Sequence, residues 1–221
     1  MSGIALIDYG AGNLQSVRNA LRAAGASDIV VTADPAYVLA GKRIVLPGVG
    51  AFAHCMGALS AIPGMVEALN EAVIEKGRPF LGICVGMQLM GDAGHEHGVT
   101  PGLGWISGNV RPIAPTPDLK VPHMGWNDVT PTRDHPVIAA GEAYFLHSYA
   151  FEGETIIATT DHGGTRVAAI GRDNMLGVQF HPEKSQTYGI ETLQRFMKWR
   201  PYASFVIPAF AGMTGWGVSC R

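Results

Sequence analysis

The sequence predicts an α/β protein with a parallel core sheet, to which antiparallel strands are attached in the second half. Three observations predict it. Short apolar runs alternate with helical periodicity up to about residue 90. Beyond that, β-rich runs follow one another between Gly, Asp and Pro. Between these regimes, a buried apolar run enters a Gly-x-Cys-x-Gly turn, and a helical segment follows.

The elements follow in order. Ile4–Ile7 reads as a first strand. Leu14, Val17 and Leu21, flanked by Ala20 and Ala24, form a helical stripe that Gly25 stops. Residues 29–31 and 43–46 read as two further strands. Met65, Leu69, Ala72 and Val73 mark an amphipathic helix ended by Gly77, then a buried strand is expected over 79–83 and a helix over 85–90. Strands alternating with helices imply crossover units and a parallel sheet. In the second half, Val110, Val121 and residues 144–147, 155–160, 167–170 and 176–180 are the β-rich runs, with a last helix over 190–199. No internal repeat is present. The periodic pattern ends near Trp199. Residues 201–221 are therefore expected to be a C-terminal extension without a catalytic role, appended to one domain spanning 1–200. A membrane or partner contact through Phe205, Phe210 and Trp216 is the alternative for that stretch.

Composition narrows the function. A chain of 221 residues, 47% hydrophobic and 15% charged with net charge −2, can bury a sizeable core but carries no electrostatic footprint for nucleic acid or an anionic membrane. No apolar run is long enough to span a bilayer. Met1-Ser2-Gly3-Ile4 lacks the basic start of a signal peptide, and three scattered cysteines make no disulfide framework, so a cytoplasmic enzyme is expected.

The chemistry-bearing residues fall in three segments. In Phe80-Leu81-Gly82-Ile83-Cys84-Val85-Gly86-Met87-Gln88, Gly82 and Gly86 let strand and helix approach closely, and Cys84 is held exposed at the turn. A helix N-terminus there favours a thiolate. A buried packing cysteine is the commoner fate of a lone Cys, and Cys55 and Cys220, which lack such a turn, are read that way or as part of the tail. In Phe180-His181-Pro182-Glu183, Pro182 biases His181 towards an extended backbone, which sets His181 and Glu183 on one side of the chain. Glu183 can then orient the imidazole as base for Cys84; by itself the segment would be a surface turn with an idle ion pair. Finally, strand Ile44–Leu46 runs into Pro47-Gly48-Val49-Gly50, whose N–H groups at Val49 and Gly50, with that of Val85, can form an oxyanion hole. In isolation that loop is an ordinary strand end.

Taken together, and in this order along residues 3–199, the three segments resemble the class I, triad-type glutamine amidotransferases. The resemblance implies a flavodoxin-like three-layer fold with a central mostly parallel sheet. It also implies attack of Cys84 on the side-chain amide of glutamine. Gln88, Glu96, His147, Ser148 and Tyr149 would hold the substrate. Gln88 falls one helical turn after Cys84 and so faces the same pocket.

Two finer segments, Asp8–Val17 and Val121–Asn127, are similar to signatures of the glutaminase subunits of imidazole glycerol phosphate synthases, as is Pro-Gly-Val-Gly in place of Pro-Gly-Gly. That implies a heterodimer with a (β/α)8-barrel cyclase in histidine biosynthesis. The cyclase would use the ammonia to form imidazole glycerol phosphate and AICAR, a purine precursor. Asn13, Arg18, Met124, Trp126 and Lys184 are the expected interface, with core packing the plain alternative for Met124 and Trp126. Val49 resists the positive-φ backbone that a glycine would take freely, so the free subunit is expected to hold its oxyanion donor turned away until the partner turns it inward.

No cofactor is implied. His95-Glu96-His97 is weak as a metal site because no further ligand lies nearby in sequence. The rival functions are a glutaminase subunit serving anthranilate, aminodeoxychorismate or pyridoxal phosphate synthesis, a cysteine hydrolase of the same fold, and a catalytically dead interaction subunit.

Overall fold

Ile4–Ile7 is buried along its whole length and forms the first strand of a nine-stranded sheet. The structure is a computed structural model, and it describes residues 3–117 and 119–201. The expected extension after Arg200, with Cys220, lies outside the described residues apart from Pro201.

Along the chain the strands are β1 (Ile4–Ile7), β2 (Ile29–Thr32), β3 (Arg43–Gly48), β4 (Phe80–Cys84), β5 (Ala93–Gly94), β6 (Thr100–Pro101), β7 (Gly108–Pro112), β8 (His123–Pro131), β9 (Gly141–His147), β10 (Tyr149–Gly153), β11 (Ile156–Asp161), β12 (Thr165–Arg172) and β13 (Met175–Val178). The helices are α1 (Leu14–Ala23), α2 (Pro35–Ala40), α3 (Phe52–Ser60), α4 (Met65–Asn70), α5 (Val85–Gln88) and α6 (Gln186–Lys198).

The large sheet runs β2-β1-β3-β4-β13-β12-β11-β8-β9. Its first five strands are mutually parallel, in the 2-1-3-4-5 order of flavodoxin-like folds. The other four are antiparallel. A second sheet, β10-β7-β5-β6, shares no strand ladder with it. The parallel strands β1, β3, β4 and β13 are buried almost throughout, which is why they read as continuous apolar runs rather than alternating ones.

Local chemistry accounts for the helices. α1 buries Val17, Ala20 and Leu21, and the Asn13 side chain caps it by accepting from Ser16 N–H. α2 begins at Asp34-Pro35, with the Asp34 carboxylate accepting from Ala36 N–H at 2.9 Å. α3 buries Phe52, Cys55 and Leu59 on one stripe, so Cys55 packs in the core as expected. α4 runs directly into a π-helical segment, Glu71–Glu75, before Gly77.

Several boundaries differ from expectation. α6 starts at Gln186, not residue 190, because its first turn is anchored without an apolar signal. A Cβ on Gly189 would lie 1.9 Å from the Pro182 carbonyl oxygen, so only glycine lets the helix pack there. α5 ends after Gln88 rather than at residue 90. Val121 lies in a bend, and β8 begins two residues later.

Candidate active site

β3, β4 and β13 end side by side, in parallel register: Gly48 pairs with Cys84, and Val178 with Ile83. The site is built at these carboxyl ends, where open α/β sheets bind ligands. Cys84 closes β4 with φ 53 and ψ −113, one of four non-glycine residues of positive φ among those described. A cysteine in that conformation is strained, and the surrounding packing holds it there. A Cβ on Gly82 would lie 2.6 Å from the Gly86 carbonyl oxygen, and one on Gly86 only 1.9 Å from that of Leu46. Both glycines are therefore required by the close approach of α5 to the sheet.

His181 follows β13 and is extended, with φ −101 and ψ 96, before the 3-10 turn Pro182–Lys184. Its Nδ1 lies 2.9 Å from Glu183 Oε1, with both side chains buried. The pair thus forms as Pro182 predicts. Burial acts to lower the His181 pKa, but the Cys84 sulfur and the Glu183 carboxylate together outweigh it and raise it to about 10. An imidazolium is then the favoured form at neutral pH. Nε2 itself is buried without a well-formed hydrogen bond among the described residues. Such contacts commonly tighten only around a bound substrate.

A cavity of about 150 Å³ collects Val49, Gly50, Cys84, Val85, Gln88, Glu96, His147, Ser148, Tyr149, His181 and Lys184. Residues scattered over more than a hundred positions of sequence thus meet in one place. Within it, Glu96 Oε2 accepts from the backbone N–H of Phe52 at 2.7 Å, at the start of α3. The Gln88 side-chain amide donates to the Tyr149 carbonyl at 3.1 Å and to Gln179 Oε1 at 3.0 Å. His147 uses both ring nitrogens inside the protein, on the Tyr149 carbonyl at 2.9 Å and on His123 at 3.1 Å. Val49 is not among the positive-φ residues, and its carbonyl accepts from the Cys55 thiol at 3.4 Å.

The five expected interface residues behave differently from one another. Met124 and Trp126 are 64% and 47% exposed, which removes core packing as their role. Trp126 meets Tyr144 edge-on, and Lys184 Nζ lies 5.7 Å above the Tyr144 ring, so these side chains share one patch at the pocket mouth. Asn13 is the exposed α1 cap. Arg18 is half-buried, with Nε lacking a hydrogen-bond partner among the described residues. Among the described residues no group of side chains is arranged to hold a metal ion.

Three contributors went unread in the sequence. The Leu146 carbonyl accepts from the Cys84 thiol at 3.9 Å, Gln179 Nε2 donates to the Cys84 sulfur at 3.7 Å, and His123 supports His147. Gln179 carried a usable signal, since it stands two residues before His181 at the end of a run that the sequence reads as a strand, where alternate side chains share a side.

Comparison with known proteins settles the family. The profile of glutamine amidotransferase class-I matches residues 5–199. The chain belongs to the class-I glutamine amidotransferases. It is similar to imidazole glycerol phosphate synthase subunit HisH of Zymomonas mobilis, 65% identical over 207 residues, which are 90% of this chain and 97% of that one. The corresponding subunit of Caulobacter vibrioides is 50% identical over 214 residues, 91% of this chain and 100% of that one. Among solved structures, a glutamine amidotransferase superposes with TM-score 0.69 at 17% identity, covering 89% of this chain and 98% of that one. The glutaminase domain of Trypanosoma brucei CTPS does so with TM-score 0.63 at 17% identity, covering 90% and 93%. These two likenesses speak for the amidotransferase fold alone.

Proposed function

We propose that this chain is the glutaminase subunit of an imidazole glycerol phosphate synthase, working through a Cys84, His181, Glu183 triad. The observation that carries the chemistry is the strained Cys84 turn facing, in one pocket, an imidazole held by a buried carboxylate. The acceptor is supported by relatives of 50–65% identity that bear that subunit's name over nearly their whole length.

In this reading the Cys84 thiolate attacks the side-chain amide carbon of glutamine. The negative charge on the amide oxygen is met by backbone N–H groups of Val85 and of Val49 or Gly50. The carbon–nitrogen bond breaks, His181 gives its proton to the leaving ammonia, and a glutamyl thioester remains on Cys84. His181 then takes a proton from water, which attacks the thioester and releases glutamate. Glu183 holds the imidazole throughout.

The substrate amino acid is gripped by Gln88, Glu96 and the segment His147-Ser148-Tyr149. Glu96 has a carboxylate oxygen beyond the one bound to Phe52 N–H, and it suits the α-ammonium group. Because both ring nitrogens of His147 are engaged, its contribution comes through the backbone.

Ammonia passes to a (β/α)8-barrel cyclase docked over the pocket mouth through Met124, Trp126 and Lys184, with Asn13 and Arg18 at the side. Residues 1–200 form the amidotransferase domain, supported by a family match that ends at residue 199, and 201–221 an extension. A reactive thiol fits a reducing compartment, the cytoplasm, and no single helix among the described residues is long and apolar enough to cross a membrane. The test is a coupled assay with purified cyclase. Glutamine should support imidazole glycerol phosphate formation only when both chains are present, and ammonium salts should support it with the cyclase alone. Failure of the two chains to associate or couple would contradict the acceptor; loss of glutamine hydrolysis in every pairing would contradict the glutaminase.

A further inference from the structure

The Cys84 sulfur is nearly excluded from water, since the residue is 4% exposed. A thiolate formed there needs hydrogen-bond donors. α5 offers little, because four residues sum to a small dipole. One donor is already in contact: Gln179 Nε2 stands 3.7 Å from the sulfur, and Gln179 is fully buried. It does not line the substrate pocket; it sits behind the nucleophile.

The orientation of this amide follows from its neighbours. Gln88 points one atom at both the Tyr149 carbonyl and Gln179. A backbone carbonyl can only accept, so that atom of Gln88 is its nitrogen. The Gln179 atom facing it must then be the oxygen, and an N–H is left to face the sulfur. The Tyr149 carbonyl is itself fixed by a hydrogen bond from His147 Nδ1. That makes His147 Nε2 an acceptor, fed by His123 Nδ1, while His123 Nε2 accepts from Asn127 Nδ2. Asn127 is oriented in turn by donating to the Asp161 carbonyl and accepting from Asp128 N–H. Every group from Asn127 to Cys84 thus has one polarity available to it.

We propose that Gln179 is a further catalytic residue: its side-chain amide donates to the Cys84 sulfur and stabilises the thiolate, and Gln88 holds the amide in that donating orientation. The inference rests on Cys84 being the nucleophile. A donor to a charged acceptor is stronger than one to a neutral acceptor, so the contact gains strength as the thiol loses its proton. Gln88 accordingly acts on the nucleophile as well as on the substrate side of the pocket.

The test is alkylation of Cys84 by iodoacetamide as a function of pH, read by peptide mass so that other cysteines do not contribute. It is combined with glutamine turnover in the complex with the cyclase. Gln179→Met removes the donor, and Gln179→Glu keeps the shape and the contact with Gln88. In either, the alkylation profile should move to higher pH by about one unit, and kcat should fall on the order of ten-fold with KM little changed. Gln88→Leu, read by alkylation alone, should move the profile the same way by less. Far-UV circular dichroism and co-elution of each variant with the cyclase report that the variant is folded. An unmoved profile in any folded Gln179 variant overturns the proposal. Cys84→Ala, run alongside, separates the two ideas: if it still hydrolyses glutamine, the nucleophile is wrong; if it is inert while the Gln179 profiles stay put, only the role of Gln179 is wrong.

Discussion

Gly48 and Cys84 are register partners at the ends of two adjacent parallel strands, β3 and β4. This pairing sets the Pro47–Gly50 loop beside Cys84, and β13 brings His181 up on the other side. A Cβ on Gly48 would lie 2.6 Å from Gly86 N and 2.8 Å from the Tyr9 hydroxyl. The geometry of attack is therefore a property of the sheet, not of a mobile loop, and it can be challenged by changing the glycines that permit it.

Gly86→Ala is the sharpest such change. Its methyl group would overlap the Leu46 carbonyl, a backbone atom that cannot swing aside. The expected cost is about 3 kcal/mol or more, read as a lower denaturant midpoint with an unchanged slope. A variant as stable as the parent would show that α5 can move off the sheet.

Val49→Gly addresses the proposed oxyanion role of the Pro47–Gly50 loop. Val49 holds a backbone conformation outside the positive-φ region, with its carbonyl tied to Cys55. Turning the peptide inward would impose on valine a left-handed conformation that costs about 1–2 kcal/mol more than for glycine. Glutamine hydrolysis by the free subunit should then rise on the order of ten-fold in the variant, and activation by the cyclase should shrink. The measurement is steady-state glutamate release with and without the partner. If parent and variant release glutamate at the same rate without the partner, valine is not the restraint.

Stability should fall on both sides of neutrality. Burial, reinforced by the neighbouring histidines, pushes His123 down to about 3 and His147 to about 4. Burial and Arg133 push His135 to about 4. These rings are neutral in the folded protein, while the unfolded chain takes up protons below about 6.5. The folded state is therefore progressively destabilised as pH drops from about 6.5 towards 4. His181 works in the opposite sense. Raised to about 10, it contributes fully below 6.5, and its contribution is lost as pH climbs towards 10. Urea midpoints at pH 5, 7 and 9 should be highest at 7. His123→Gln should flatten the acid limb, and an unchanged acid limb would remove His123 from its cause.

Much of this was legible in the residues because the physics is local. The short apolar runs 4–7, 44–46 and 80–83 read as buried strands because they are too short for helices, and Gly82, Cys84 and Gly86 announce a tight turn. His181 and Glu183 share a side because Pro182 extends the chain. The remainder depended on which groups meet in space. The amide of Gln179 is invisible as a partner of Cys84 until β13 is laid beside β4, and the inward turn of the His147 ring depends on His123 across an antiparallel pair. Periodicity also failed where glycine, not an apolar stripe, fixes an element, as at Gly189 in α6. α2 went unread: Asp34-Pro35 starts it, but it is too short to show a repeating stripe.

The most direct measurement compares nitrogen sources for Cys84→Ala in the purified complex with the cyclase. Glutamine-dependent formation of imidazole glycerol phosphate should drop to background while ammonium-dependent formation stays close to that of the parent. Glutamine-dependent turnover that persists in Cys84→Ala would contradict Cys84 as the nucleophile.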